Sequence, residues 1–273
     1  MQKQTNVTSP PYTEWIPISR SFLLMISRRQ LLGWSLVLIV ITILLTWLGY
    51  LVTVDFMDSL TKGFMATGPV PDTIWGWLKY KGWLIGSWLF HIVSRIVAFY
   101  FAFLLAYTLT TPGYAFLSTA TEKLHAGPNF HIDTGFSFSG IVSDIFEGLK
   151  IALFGVAVTI TAVFANFIPG FGQIFVVLLY TYYSTLMFID YPASRRRWSL
   201  GKKIAWLKNH NGVAFRIGLL PALISMIPFV NIFAIALLFP LLTIHATLNF
   251  SVIELAQKNP VAPPGGRFYG QRD

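Results

Sequence analysis

The sequence contains no cysteine and shows none of the common signatures of an enzyme. Without cysteine the chain has no disulfide, no thiolate nucleophile and no cysteine-ligated metal. Its five histidines are dispersed, without the spacing of a metal site. A P-loop, a dinucleotide-binding fingerprint and a nucleophile elbow are all missing. We therefore expect no metal, no cofactor and no enzymatic activity.

Charge is also scarce, and acidic residues are the scarcer of the two signs. Only 11% of the residues are charged and 55% are hydrophobic, whereas a soluble domain has about 25% charged residues. This composition predicts an integral membrane protein. The formal net charge is +9, but the basic residues flank apolar segments, where the positive-inside rule and anionic lipid account for them. Nucleic acid is not a predicted partner.

The hydrophobic pattern predicts one helical membrane domain over residues 13–256, between a disordered N-terminus (1–12) and a disordered Pro/Gly-rich tail (257–273). The domain opens with an amphipathic helix that lies in the membrane interface, because its apolar residues recur every three or four positions. Those residues are Trp15, Ile18, Phe22, Met25 and Ile26.

Two long uncharged or nearly uncharged stretches follow, and we expect each to form a transmembrane helix. The first covers residues 31–54 and should end at Asp55 and Asp58. The second covers residues 82–111, which contain one charge, Arg95, or is displaced towards residues 96–120. An ionisable residue inside a membrane segment is a pathway candidate. The alternative is that Arg95 extends to the outer interface. Residues 121–147 read as a polar connection.

Two proline-centred interruptions divide the remaining apolar sequence. Proline removes a backbone donor and bends a helix, so we predict two broken helical hairpins. Their arms cover residues 151–168 and 173–189, then 217–227 and 230–250. The arm 217–227 is too short to span a bilayer of about 30 Å, which favours partial penetration. The alternative is a tight turn between two complete spans.

Charge orients the chain, because basic residues precede the first span and recur in the segment 193–208. The positive-inside rule predicts that this segment and both termini are cytoplasmic. We expect the basic segment to contact anionic lipid.

Three features indicate an anion site. Arg28 and Arg29 together suit a bidentate oxyanion, although membrane flanking also explains them. Gly170, Gly172 and Gln173 open one hairpin arm, and Asn231 opens the matching arm. Exposed N–H groups at a helix N-terminus favour an anion. The alternative is a turn that satisfies its own backbone groups.

Five short motifs stand out along the chain: Ile168-Pro169-Gly170-Phe171-Gly172-Gln173, Asp190-Tyr191-Pro192, Met226-Ile227-Pro228 with Asn231, Thr111-Pro112 with Glu122, and Asp133-Thr134-Gly135. In their order and spacing they resemble the CysZ-type sulfate permeases, which share a domain with the etoposide-induced autophagy membrane proteins. The resemblance covers roughly residues 15–250 and makes Glu122 a second pathway candidate.

The resemblance implies an all-helical fold with two long transmembrane helices, two partly penetrating hairpins and assembly into homo-oligomers. It also implies sulfate uptake for sulfur assimilation across a bacterial inner membrane. The family's anion site has a glycine, an aliphatic residue and two arginines. The arginines match as Arg28 and Arg29, but Ile26 and Ser27 occupy the first two positions.

We therefore predict a permease or channel for sulfate or a related oxyanion. A non-transporting membrane scaffold that binds partner helices and acidic lipid is the alternative, and a lipid-handling protein is a weaker third reading.

Overall fold

The computed structural model describes residues 15–65, 68–127, 138–227 and 230–258, and within these residues every regular element is an α-helix. This confirms the predicted all-α membrane class. Five of the described helices, α2, α3, α4, α5 and α8, contain a stretch long and apolar enough to cross a membrane. The helices are α1 (Ile18–Ser27), α2 (Arg29–Met65), α3 (Ile74–Ala126), α4 (Phe138–Ala165), α5 (Phe171–Arg195), α6 (Leu200–Asn209), α7 (Asn211–Ser225) and α8 (Val230–Lys258).

Helices α2 and α3 are much longer than the sequence predicted. The prediction that the first helix ends at Asp55 and Asp58 is wrong, because α2 continues through both residues to Met65. Helix α3 has 53 residues, a length of about 80 Å. A charged side chain ends an apolar stretch, but it does not interrupt backbone hydrogen bonds. Helix α3 also continues to Ala126, so the predicted connection 121–147 is helical at both ends.

Helix α8 forms the centre of the bundle, with α1, α2, α3, α5 and α7 packed around it. Its Phe239 ring is surrounded by aromatic side chains from the neighbouring helices. The ring centroids lie 4.6 Å from Tyr114 of α3 and 4.8 Å from Phe188 of α5. These contacts are within the usual range for paired aromatic rings. Helix α8 ends at Lys258, two residues beyond the predicted domain limit.

The N-terminal segment is held against α8 by side-chain hydrogen bonds. The Asn249 amide pairs with the backbone of Ile16, accepting from its N–H at 3.0 Å and donating to its carbonyl at 3.0 Å. The Ser21 hydroxyl lies 3.1 Å from Nδ1 of His245. Only part of the predicted apolar stripe takes part, because Phe22 stays exposed while the polar Ser21 is fully buried.

Both predicted helical hairpins are present among the described residues. Helices α4 and α5 meet at the turn 166–170, and α7 leads into α8. Helix α7 has 15 residues, about 22 Å, which is shorter than the hydrocarbon core of about 30 Å. It crosses α5 closely at Gly218, where an added Cβ would meet the Thr181 carbonyl oxygen.

One end of the bundle, which we call the charged end, collects the ionisable residues of α3, α5, α6 and α8. Helix α6 closes this end, because the Trp206 indole N–H donates to Glu254 at 3.1 Å. The N-terminal segment also packs on this part of α8. The predicted tails, 1–12 and most of 257–273, and the motif Asp133-Thr134-Gly135 lie outside the described residues.

Candidate functional site

A fully buried ion pair joins α5 to α6 at the charged end. Ser199 caps α6 by accepting from the Lys202 N–H, and this start places Lys203 against α5. Its ammonium donates to Oδ1 of Asp190 at 2.6 Å, and both side chains are 0% exposed. Ser194, one turn after Asp190, donates to the same oxygen at 2.9 Å. Glu147 of α4 lies 3.4 Å from the ammonium.

A second buried group joins α5 to α3. Both carboxylate oxygens of Glu122 accept from guanidiniums, Oε1 from Arg196 at 2.6 Å and Oε2 from Arg195. The three side chains are less than one-tenth exposed. Arg196 also donates to the Pro192 carbonyl at 2.8 Å and lies over the Phe250 ring, 5.0 Å from its centroid. Glu122, the pathway candidate, is thus the centre of a charged cluster.

The basic segment 193–208, which we expected to contact anionic lipid, is only partly exposed. Arg195, Arg196 and Lys203 point into the bundle, because their carboxylate partners lie on α3 and α5. The prediction was based on the number of basic residues in the segment, because the sequence does not show which carboxylates pair with them. The basic residues of this segment that stay exposed are Arg197, Lys202 and Lys208.

Arg28 and Arg29 lie at the junction between α1 and α2. Arg28 has extended backbone geometry, with φ −105° and ψ 102°, and α2 begins at Arg29. Both side chains are exposed, and neither forms an ion pair with another described residue. The first N–H groups of a helix have no partner within it and carry partial positive charge. Two guanidiniums therefore stand beside an electropositive helix end.

The tip of the first hairpin satisfies much of its own backbone. Gly170 has φ +77°, a conformation that glycine adopts at little cost. The N–H of Phe171 donates to Pro169 at 3.0 Å, and that of Gly172 donates to Ile168 at 3.0 Å. An added Cβ at Gly172 would meet the Ala165 carbonyl oxygen. Gln173 is exposed. This geometry favours the self-satisfied turn over an open anion site.

Asn231 closes the second hairpin in a similar way. Its N–H donates to Ile227 at 3.0 Å, and its side-chain amide donates to Ser225 at 2.9 Å. Its Oδ1 atom is buried and has no hydrogen-bond partner among the described residues. The backbone N–H and the side-chain amide of Asn231 therefore both donate hydrogen bonds within the turn.

The structure separates the predicted anion-binding residues into two groups at opposite ends. Gly49 packs against Ala102, so the antiparallel α2 and α3 bring Arg29 level with Glu122. Near the second tip, Phe233 contacts Phe99 at 6.3 Å between ring centroids. In the same register, Phe99 lies opposite a point on α2 about 23 residues after Arg29, a distance of roughly 35 Å along the helix. The arginines and the hairpin tips thus do not form one site.

Arg95, the other pathway candidate, is bound to α2. Its guanidinium donates to both carboxylate oxygens of Asp58, at 2.9 Å and 2.8 Å. A bidentate pair of this kind fixes the planes of both groups. Arg95 therefore links the outer parts of α2 and α3.

Sequence reasoning missed the pairing of Asp190 with Lys203 and that of Glu122 with the two arginines. The sequence held one signal, since Asp190 is the sole acidic residue of α5. A lone carboxylate in an apolar helix requires a partner when buried. The identity of that partner depends on the packing of α6 on α5.

The chain matches a family model described as Sulfate transporter CysZ/Etoposide-induced protein 2.4 over residues 18–236. The chain belongs to this family. The match includes Arg28, Arg29 and the ion-paired residues of the charged end, so these residues lie within the family domain. CysZ/etoposide-induced proteins form a transporter-type family of membrane proteins. No curated protein sequence matches the chain.

Proposed function

We propose that this CysZ-family protein is a permease or channel for sulfate or a related oxyanion in a bacterial inner membrane, where it supplies sulfur assimilation. The observation that carries the proposal is the exposed pair Arg28 and Arg29 at the start of α2. Two adjacent guanidiniums can each donate to a different oxygen of one tetrahedral anion. The positive end of α2 adds to their attraction.

The arrangement of the charged end supports a cytoplasmic location for both termini. The segment before α1 and the last turns of α8 both pack at this end, as does the basic segment. A concentration of arginine and lysine on one side favours the cytoplasmic side. In this orientation the hairpin tips point towards the periplasm.

We also propose how deeply the second hairpin enters the bilayer, what drives transport, and what the protein assembles with. The short α7 supports a second hairpin that penetrates the bilayer only partly. The chain has no nucleotide-binding motif, so transport is passive or coupled to an ion. We expect a homo-oligomer, as the family implies. Exposed Arg197, Lys202 and Lys208 provide the contact with anionic lipid.

Uptake of labelled sulfate into proteoliposomes tests this function. Vesicles with the purified chain should accumulate sulfate faster than empty vesicles, with a rate that saturates as sulfate rises. Chloride at the same ionic strength should not compete to the same extent. Flux equal to that of empty vesicles, from protein that remains folded, would refute the proposal.

One observation favours the alternative of a membrane scaffold. Beyond the Asp58–Arg95 pair, α3 continues for about 20 residues, roughly 30 Å, whereas α2 ends seven residues after Asp58, at Met65. This outer part exposes large apolar side chains, a surface that suits contact with partner helices. They include Ile74, Trp75, Trp77, Leu78, Ile85 and Trp88. A stable co-purifying membrane partner, together with an absence of flux, would favour the scaffold.

A further inference from the structure

We propose that Arg195 and Arg196 form an anion-binding site at the charged end, which we call the station. In the structure this site is occupied by the carboxylate of the protein's own Glu122. A tetrahedral oxyanion such as sulfate displaces this carboxylate and takes over its hydrogen bonds. The role of the station in transport rests on the proposed function, whereas its anion binding does not.

The geometry of the cluster is that of a bidentate anion site. Two consecutive residues direct their guanidiniums at the two oxygens of one carboxylate, Arg196 at Oε1 and Arg195 at Oε2. A tetrahedral oxyanion presents two of its oxygens at a similar spacing. Arginine is the side chain best suited to such planar, paired donation. The carboxylate therefore occupies a position that sulfate can fill.

Contacts that do not involve Glu122 hold one of the two arginines in place. Arg196 donates to the Pro192 carbonyl at 2.8 Å and lies 5.0 Å from the centre of the Phe250 ring. A binding group fixed in advance loses less conformational entropy when a ligand arrives. The station should thus persist when the Glu122 side chain moves away.

The energetics of buried ion pairs give the cluster a functional interpretation. A buried pair is often no more stable than well-packed apolar residues, but loss of one partner is strongly destabilising. The buried arginines need a negative charge, and an anion from solution can provide it. Exchange between the Glu122 carboxylate and a free oxyanion keeps the guanidiniums compensated throughout.

Thermal unfolding of the purified full-length chain in detergent, followed by tryptophan fluorescence, tests the station. Glu122→Gln removes the tethered charge, and Asp190→Asn removes the carboxylate of the neighbouring buried pair as a matched control. In chloride solution, both variants should have a lower unfolding temperature than the wild type. Sulfate at the same ionic strength should raise the unfolding temperature of Glu122→Gln by about 5 °C, with saturation. The unfolding temperature of Asp190→Asn should rise no more in sulfate than that of the wild type. The rise in the wild type measures the general stabilising effect of sulfate.

An equal sulfate response in Glu122→Gln and Asp190→Asn would overturn the proposal. Glu122→Asp provides a second test if the first variant does not fold, because it keeps the charge on a shorter side chain. Sulfate should bind it at least about tenfold more tightly than the wild type, and adding Arg196→Gln should abolish the gain. Absence of that gain in Glu122→Asp would equally overturn the station.

Different experimental results would refute the permease and the station. The sulfate response of Glu122→Gln should survive in combination with Arg28→Gln and Arg29→Gln, since those residues lie outside the cluster. A wild-type flux equal to that of empty vesicles, alongside this response, would refute the permease and leave the station intact.

Discussion

The Lys203 ammonium lies 2.6 Å from Oδ1 of Asp190, and neither side chain is exposed to solvent. This pair fastens α6 to the last turns of α5. It also helps to define the charged end, because the same turns present Arg195 to Glu122. A charge that is buried so fully depends on its partner.

Lys203→Met should therefore be strongly destabilising, by about 3–5 kcal/mol. The variant leaves the Asp190 carboxylate buried with only the Ser194 hydroxyl as a described hydrogen-bond donor. The double variant Asp190→Leu/Lys203→Met removes both charges and should recover most of the loss. Unfolding monitored by tryptophan fluorescence in detergent measures the three variants. Additive losses in the double variant would show that the pair is not coupled.

Arg95 and Asp58 should behave as one structural unit. Because the two side chains share both hydrogen bonds of one bidentate pair, Arg95→Gln and Asp58→Asn should reduce thermal stability to a similar extent. The exchange Asp58→Arg/Arg95→Asp should restore stability. Sulfate flux per folded protein should stay unchanged in all three. Loss of flux in Arg95→Gln alone would instead place Arg95 on the pathway.

The crossing of α5 and α7 should depend on Gly218. An alanine Cβ there would meet the Thr181 carbonyl oxygen, so the helices would have to separate. We expect Gly218→Ala to reduce stability by about 1–3 kcal/mol. Gly212, on the same helix, has open space around it, and Gly212→Ala should be neutral or slightly stabilising. Equal effects of the two substitutions on thermal unfolding would contradict the close crossing.

Asn249 should determine whether the N-terminal segment stays docked on α8. The chain has no cysteine, so Ser21→Cys introduces a single reporter at a fully buried position. Maleimide should label it slowly, and adding Asn249→Leu should accelerate labelling on the order of tenfold. That factor reflects two lost hydrogen bonds worth about 0.5–1.5 kcal/mol each. An unchanged labelling rate would mean that these bonds do not hold the segment.

The fold was largely predictable because membrane helices follow apolar runs, and proline and glycine mark their breaks. The turn at Gly170 lies where the sequence placed it. The lengths of α2 and α3 were not predictable in the same way. Asp55 marks the end of an apolar stretch, whereas the helix continues because its backbone bonds are indifferent to that charge.

The candidate site was only partly predictable. Arg28 and Arg29 are adjacent in sequence, so their proximity needed no tertiary information. The pairing of Glu122 with Arg195 joins residues far apart in the chain, and it depends on the alignment of α3 with α5. A basic segment alone gives no sign of which of its residues turn inward.

In the proposed permease, Arg28 and Arg29 capture the transported oxyanion. The most direct test compares labelled sulfate uptake by proteoliposomes of Arg28→Gln/Arg29→Gln with that of Arg197→Gln/Lys202→Gln, which removes two exposed charges from the basic segment. We predict saturable wild-type uptake, at least about tenfold weaker apparent affinity in the first variant, and wild-type uptake in the second. Equal uptake by the two variants would contradict the account.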